Sequence, residues 1–116
     1  MKVRVRNDTR NTVLAIAADV AATSAERRTG LLNRRSLAPG EGLWIRPCES
    51  VHTFFMKFAI DLVYLDRQEK VRKVRVAVRP WRLSACFSAH SVLELPAGSV
   101  APTGTQRGDQ IAFDPV

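Results

Sequence analysis

The sequence predicts a mainly β fold (α+β by strict count), a compact single domain over residues 1–116 with one short helix near residues 24–33. We expect about seven short strands in a partly closed, barrel-like sheet. Short apolar runs separated by turn-forming residues at close spacing are typical of such β folds. The length of 116 residues suits one domain that buries its own core.

The strands are predicted from apolar runs and from alternation of apolar and polar residues. Residues 3–6 alternate valine and arginine, and the apolar run of residues 12–22 follows a turn cluster, so the two form an opening hairpin. The later strands are expected at residues 43–45, 52–56, 60–65, 71–78, 91–95 and 110–113. Between Arg82 and Ser91 the pattern is irregular.

One helix is predicted after the opening hairpin. Thr23 and Glu26 have the spacing of a capping box, in which each side chain accepts a hydrogen bond from the other residue's backbone amide. Leu31 and Leu32 supply a modest apolar stripe. The helix should therefore run from residue 24 to about residue 33.

Positive charge dominates the composition, with a formal net charge of +7. This charge suits an anionic partner such as nucleic acid, a membrane surface or an acidic metabolite. The basic residues run from Lys2 to Arg107 with few aromatic residues among them, whereas single-strand binders combine a basic groove with stacking aromatics. Nucleic-acid binding is therefore an alternative and not the first expectation.

A cytoplasmic location without a membrane partner is expected from three features. No apolar run approaches the roughly 18 residues of a transmembrane helix. The charged start of the chain has no apolar run after it, unlike a secretory leader. Two cysteines do not form the disulfide framework of a small secreted domain, so we expect reduced thiols.

The stretch from Cys48 to Asp66 concentrates reactive residue types in apolar surroundings. Cys48 and His52 are candidates for a nucleophile and its base, with Asp61 as a third catalytic candidate, because a histidine can lower the pKa of a thiol. The competing interpretation is a buried loop cysteine beside a histidine that bonds to the backbone. The sequence therefore does not decide whether the protein is an enzyme.

Two Cys-x-x-x-His pairs are candidate ligands for a structural zinc ion. The four ligand types of Cys48, His52, Cys86 and His90 match those of a structural zinc site. Free cysteines are commonly small buried apolar residues, however. We therefore expect no metal, with this set as the alternative, and no other cofactor, since the scattered glycines form no phosphate-binding loop.

Lys57 and Asp61 lie inside an apolar run, where an unpaired charge is costly. The first expectation is an ion pair between them, or with Glu94. The second is a polar cleft in which Arg34 and Lys57 receive an anionic ligand. The expected ligand-binding residues are thus Arg34, His52, Lys57, Asp61 and Glu94.

An ordered set of motifs resembles a known family, the domain of unknown function 192. The motifs lie between Ala22 and Phe113: Arg28–Arg34, Gly42–Trp44, Phe55–Lys57, Ile60–Asp61, Val92–Gly98 and Gly108–Asp109. The chain departs from the common family form at Leu32, where methionine is usual, at Phe55, which replaces a tryptophan, and at Phe58-Ala59, which replaces Asn-Thr. The resemblance implies a small β-rich fold with a short helix, and no established activity.

These observations lead to a first hypothesis, a small binding or accessory module with a polar cleft for a small anionic ligand or partner. The alternatives are a thiol- or hydrolase-type enzyme that uses Cys48, His52 and Asp61, and a basic nucleic-acid-associated protein. The ligand and the oligomeric state are not determined by the sequence.

Overall fold

Nine strands and one short helix make up the protein, which a computed structural model describes over residues 1–116. The strands are β1 (Lys2–Asn7), β2 (Thr12–Ala21), β3 (Glu41–Ile45), β4 (Ser50–His52), β5 (Ile60–Leu65), β6 (Val71–Val78), β7 (Leu83–Ala85), β8 (Ser91–Pro96) and β9 (Ile111–Pro115). The helix α1 spans Ser24–Thr29, and a 3₁₀ turn spans Ala101–Thr103. The predicted mainly β fold is confirmed.

Seven strands form one sheet in the order β6-β5-β8-β3-β2-β1-β9, while β4 and β7 pair with each other. β2 and β3 are parallel, and α1 lies in the connection between them. The two edge strands meet at one end, where Lys70 and Gln110 form a β-bridge. There the Val71 N–H donates to the Asp109 carbonyl at 2.9 Å. The sheet is therefore curled and partly closed, as predicted.

The core packs against both faces of β5. All six of its residues are buried, and the five apolar ones enter two different clusters on opposite faces of the strand. Val63 and Leu65 belong to the cluster that also holds Val5 and Ile111. The second cluster lies between the sheet and the segments that follow α1; it comprises Ala21, Leu31, Leu37, Leu43, Ile45, Val51, Met56, Ile60, Leu62, Tyr64, Val78 and Val92.

The capping box at the start of α1 is confirmed. Glu26 N–H donates to Thr23 Oγ1 at 3.1 Å, and Thr23 N–H donates to Glu26 Oε1 at 3.0 Å. The helix is shorter than predicted because it ends at Thr29, where Gly30 follows with a positive φ of 48°. Leu31 is buried in the turn after the helix and not on its face. No helix of the protein is long and apolar enough to cross a bilayer.

The predicted strand over residues 52–56 is wrong. β4 ends at His52, and a turn follows in which Phe55 has a positive φ of 65° and Met56 N–H donates to the Thr53 carbonyl. β4 instead pairs with β7, which lies in the stretch that showed no strand pattern. Each of these strands has three residues, too few for a periodic pattern to be visible.

Candidate functional site

A small cavity lies between α1, β4 and one face of the sheet. Its volume is about 80 Å³, well below the roughly 300–1,000 Å³ of pockets for drug-sized molecules. It therefore has room only for a compact group. The lining consists of Arg27, Arg28, Thr29, Gly30, Leu31, Leu32, Ile45, Cys48, Ser50, Val51, His52, Met56 and Glu94.

Glu94 is the unusual member of this lining. It lies on β8 beside Leu43 of β3 and Leu62 of β5, so its side chain leaves the same face of the sheet as the second apolar cluster. The residue is 3% exposed, yet its carboxyl group makes no hydrogen bond or ion pair within the protein. Burial raises the pKa of this carboxyl to about 7. At neutral pH it is therefore divided between the acid and the carboxylate.

The carboxyl group of Glu94 keeps a small opening to the cavity. Trp44 Nε1 is the one fully enclosed side-chain polar atom of the protein that lacks a hydrogen-bond partner. The Glu94 oxygens also lack partners and are not fully enclosed, and the cavity is the space that this residue lines. A buried polar group without a partner is costly, so an occupant that satisfies it would gain free energy on binding.

Cys48 lies beside Glu94 in the cavity and is a poor candidate for a nucleophile. Its Sγ donates to the Ser50 carbonyl at 3.1 Å. Burial raises the pKa of the Cys48 thiol, and this effect outweighs the opposing backbone hydrogen bond at Ser50. The nearby Glu94 charge raises the pKa further, and Arg27 lowers it. No hydrogen bond joins Cys48 to His52, whose ring instead lies 5.2 Å from that of Phe54. The proposed activation of the thiol by His52 therefore has no geometric support.

Asp61 lies outside the cavity and has a structural role. Its carboxylate accepts hydrogen bonds from the backbone amides of Ala77 at 2.8 Å, Gly98 at 3.1 Å and Val100 at 3.0 Å. The expected ion pair with Lys57 is not formed, because these three amides already satisfy the carboxylate. Lys57 is exposed and makes no salt bridge with any residue.

Arg34 also lies away from the cavity. Its Nη2 contacts Asp19 Oδ2 at 2.7 Å, and Lys2 Nζ contacts the other oxygen of Asp19 at 2.8 Å. The hydrogen bond from Lys2 is the largest cause that lowers the pKa of Asp19, and Arg34 adds to it. This three-residue cluster joins the start of β1, the end of β2 and the loop after α1.

The alternative zinc set does not assemble. No group of three or more histidine, cysteine, aspartate or glutamate side chains is close enough to hold a metal ion. Cys86 Sγ lies 3.4 Å from Ser88 Oγ. The segments of Cys48 and His90 do meet, but through the backbone, where Cys48 N–H donates to the His90 carbonyl at 2.9 Å.

The model of the DUF192 family, described as an uncharacterized ACR, matches residues 5–113. The chain belongs to this family. A UPF0127 protein of Thermococcus gammatolerans is 36% identical over 66 residues, which are 56% of this chain and 42% of that protein. A UPF0127 protein of Thermococcus sibiricus is 30% identical over 117 residues, covering 93% of this chain and 73% of that protein. The resemblance found in the sequence motifs is confirmed.

Two crystal structures share the fold of this DUF192 chain. A proposed transcription regulator of Sinorhizobium meliloti 1021 superposes with a TM-score of 0.83 at 21% identity, covering 97% of this chain and 92% of that one. A protein of unknown function from Novosphingobium aromaticivorans gives a TM-score of 0.79 at 22% identity, covering 97% and 84%. At these identities the likeness concerns the fold alone.

The DUF192 fold thus brings Cys48, His52 and Glu94 to one cavity and leaves Arg34, Lys57 and Asp61 outside it. Sequence reasoning did not single out Arg27 and Arg28, which lie on α1 and contribute to the lining. One signal for the site was present in the sequence. Glu94 is the single charge in the apolar strand pattern of residues 92–95.

Proposed function

We propose that the protein is a binding module whose cavity receives the compact head group of a small anionic ligand. The observation that carries this proposal is the Glu94 carboxyl group, which is buried, lacks a partner and faces the cavity. In its protonated form it donates a hydrogen bond to an oxygen of the ligand. An apolar site that keeps a carboxylic acid neutral creates such a donor.

The charges around the cavity favour an anion over a cation. Arg27 and Arg28 contribute to the lining, and Arg28 makes no hydrogen bond or salt bridge of its own. The positive charge of these two residues attracts an anion and repels a cation. The pKa of about 7 at Glu94 means that the donor form is available at neutral pH. Apolar contacts with Ile45 and Met56 then suit a short aliphatic chain behind the head group.

The affinity for such an anion should fall as the pH rises. We expect propionate, acetate, formate or sulfate to shift amide resonances of cavity residues such as Ser50 and Met56 in ¹H–¹⁵N NMR spectra at pH 6. Because binding requires the protonated form of Glu94, and its population falls about tenfold between pH 6 and pH 8, the apparent Kd should rise about tenfold. All four probe anions keep a constant charge over this range.

Three variants separate this mechanism from nonspecific binding. Glu94→Gln carries an amide that donates at every pH, so it should bind propionate without the pH dependence. Glu94→Leu should lose binding, and Glu49→Gln, an exposed glutamate outside the cavity, should behave as the wild type. Wild-type affinity in Glu94→Leu, or the absence of saturable binding at pH 6, would contradict the proposal. If methylammonium bound instead, with an affinity that rises with pH, the ligand would be a cation and not an anion.

A further inference from the structure

A second surface, which adjoins the cavity where His52 contacts Phe54, carries exposed aromatic rings. Phe54 and Phe55 follow β4, and Trp81 lies in the bend before β7. The ring of Trp81 is 4.6 Å from that of Phe55 and 5.8 Å from that of Phe54, between centroids. Phe55 is 71% exposed and Trp81 is 54% exposed. Two loops far apart in the chain thus form one aromatic cluster that faces solvent.

Buried Thr53 fixes these two loops against each other. Its Oγ1 donates to the Arg79 carbonyl at 2.6 Å and accepts from Arg82 N–H at 2.9 Å. Its backbone N–H donates to the Arg82 carbonyl at 2.9 Å, and its carbonyl accepts from Trp81 N–H at 3.0 Å. The aromatic rings are therefore presented by a preorganised backbone and not by free loop ends.

The backbone conformation at both ring-bearing positions is strained. Phe55 has a φ of 65° and Trp81 a φ of 67°, values that bulky side chains rarely adopt. Glycine would fit these positions without strain, and the sequence instead places large exposed aromatic residues there. Such strain is concentrated at sites where function requires a particular side chain.

The two chain segments that carry this aromatic cluster are strongly basic. Residues 50–60 and 70–90 contain no aspartate or glutamate and seven lysine or arginine residues: Lys57, Lys70, Arg72, Lys73, Arg75, Arg79 and Arg82. The rest of the chain contains eleven basic residues and all eleven acidic residues, whose charges cancel. The net charge of +7 therefore comes from these two segments. None of the seven takes part in a salt bridge.

We propose that this surface binds single-stranded nucleic acid, with bases stacking on Phe55 and Trp81 and phosphates contacting Lys57, Arg79 and Arg82. A positively charged surface combined with exposed aromatic rings is the arrangement by which proteins bind single strands without sequence preference. Four of the seven cations are arginines, whose planar guanidinium groups match phosphate oxygens. Rings held in fixed mutual contact suit flat bases better than a fluid lipid bilayer.

The experiment measures fluorescence anisotropy of labelled twelve-nucleotide oligo-dT and oligo-U with the full chain. We expect saturable binding, and the logarithm of the association constant should fall linearly with that of the salt concentration. Trp81→Gly and Phe55→Gly remove the rings at positions where glycine relieves the backbone strain, so both variants should fold. Each should weaken binding by about tenfold or more through loss of base stacking.

Matched variants separate stacking from general charge attraction. Arg79→Ala combined with Arg82→Ala should reduce the magnitude of the salt slope by about 1.4, at about 0.7 for each phosphate that is no longer neutralised. Arg107→Ala and Ile16→Ala change an exposed cation and an exposed apolar residue elsewhere, and both should bind as the wild type. Circular dichroism and urea unfolding verify that each variant is folded.

Three outcomes would overturn the proposal. The first is unchanged affinity in both folded glycine variants. The second is equal affinity for a duplex and for its single strands. The third is co-sedimentation with phosphatidylserine-containing vesicles together with no binding to either oligonucleotide, which would assign the surface to an anionic membrane instead.

Discussion

Asp61 and Glu94, two buried acidic residues on adjacent strands, have opposite environments. Asp61 pairs in register with Leu95, and Leu62 pairs with Glu94, so the two carboxyl groups leave opposite faces of the sheet. Asp61 accepts three backbone hydrogen bonds, whereas Glu94 accepts none. A buried carboxyl group can thus stabilise a fold when backbone amides donate hydrogen bonds to it. Where only a cavity faces the group, the cost of its burial is not compensated.

Removal of the Asp61 carboxylate should have the largest effect on stability. Asp61→Ala leaves the amides of Gly98, Val100 and Ala77 without their acceptor. We expect the free energy of unfolding to fall by roughly 3–5 kcal/mol in urea denaturation, because each unsatisfied buried amide is costly. Glu49→Ala, at an exposed site, should change it by less than about 0.5 kcal/mol. A similarly small loss in Asp61→Ala would show that the three hydrogen bonds contribute little.

Glu94 should destabilise the fold as the pH rises. Burial raises its pKa from 4.5 to about 7, so the folded state retains a proton that the unfolded state has already released. Its contribution is therefore most favourable below pH 4.5 and is lost progressively up to about pH 7, by roughly 3 kcal/mol in total. Urea unfolding of wild type and Glu94→Gln across pH 4.5–8 should show this change in their difference.

The control for this pH dependence is Glu49→Gln, which removes an exposed carboxyl group instead of a buried one. Other acids titrate in this range too, but they are common to both proteins in each comparison. A constant difference between wild type and Glu94→Gln would mean that Glu94 is solvated and has no raised pKa. The contrast with Asp61 would then disappear.

The smallest expected effect concerns the thiol of Cys48. In a Cys86→Ser background, the pH dependence of alkylation by iodoacetamide should give Cys48 a pKa above that of a free cysteine, because burial disfavours the thiolate. Glu94→Gln should lower this pKa, since the Glu94 charge helps to raise it, and Arg27→Gln should raise it. If neither substitution changed this pKa, the Cys48 thiol would not interact electrostatically with the charged groups that line the cavity.

Much of the fold could be predicted because its signals are local. The capping box of Thr23 and Glu26 and the continuous apolar run of β5 are each visible within a few residues, and both have the predicted structure. β4 and β7 could not be predicted, since three-residue strands have no measurable period. Their pairing depends on contacts between distant segments.

The candidate site could be located only in part. Cys48 and His52 were found because reactive residue types stand out. Glu94 was named as a possible ion-pair partner for Lys57 or Asp61, although it also interrupts an apolar strand. Asp61 stands out in the same way, but its partners are three backbone amides from two later segments, which carry no side-chain signature in the sequence. Residue types alone therefore could not distinguish the satisfied acid from the unsatisfied one.

The contact between the edge strands β6 and β9 helps the protein to resist aggregation. Exposed edge strands present unpaired amides that can template the addition of another chain. Here Ile111 N–H donates to the Glu69 carbonyl and Gly108 N–H donates to the Val71 carbonyl. At this end, backbone groups of the two sheet edges are therefore hydrogen-bonded to each other. Lys73 and Arg75 of β6 also reach the backbone of β7. A foreign strand approaching here finds these donors and acceptors already engaged.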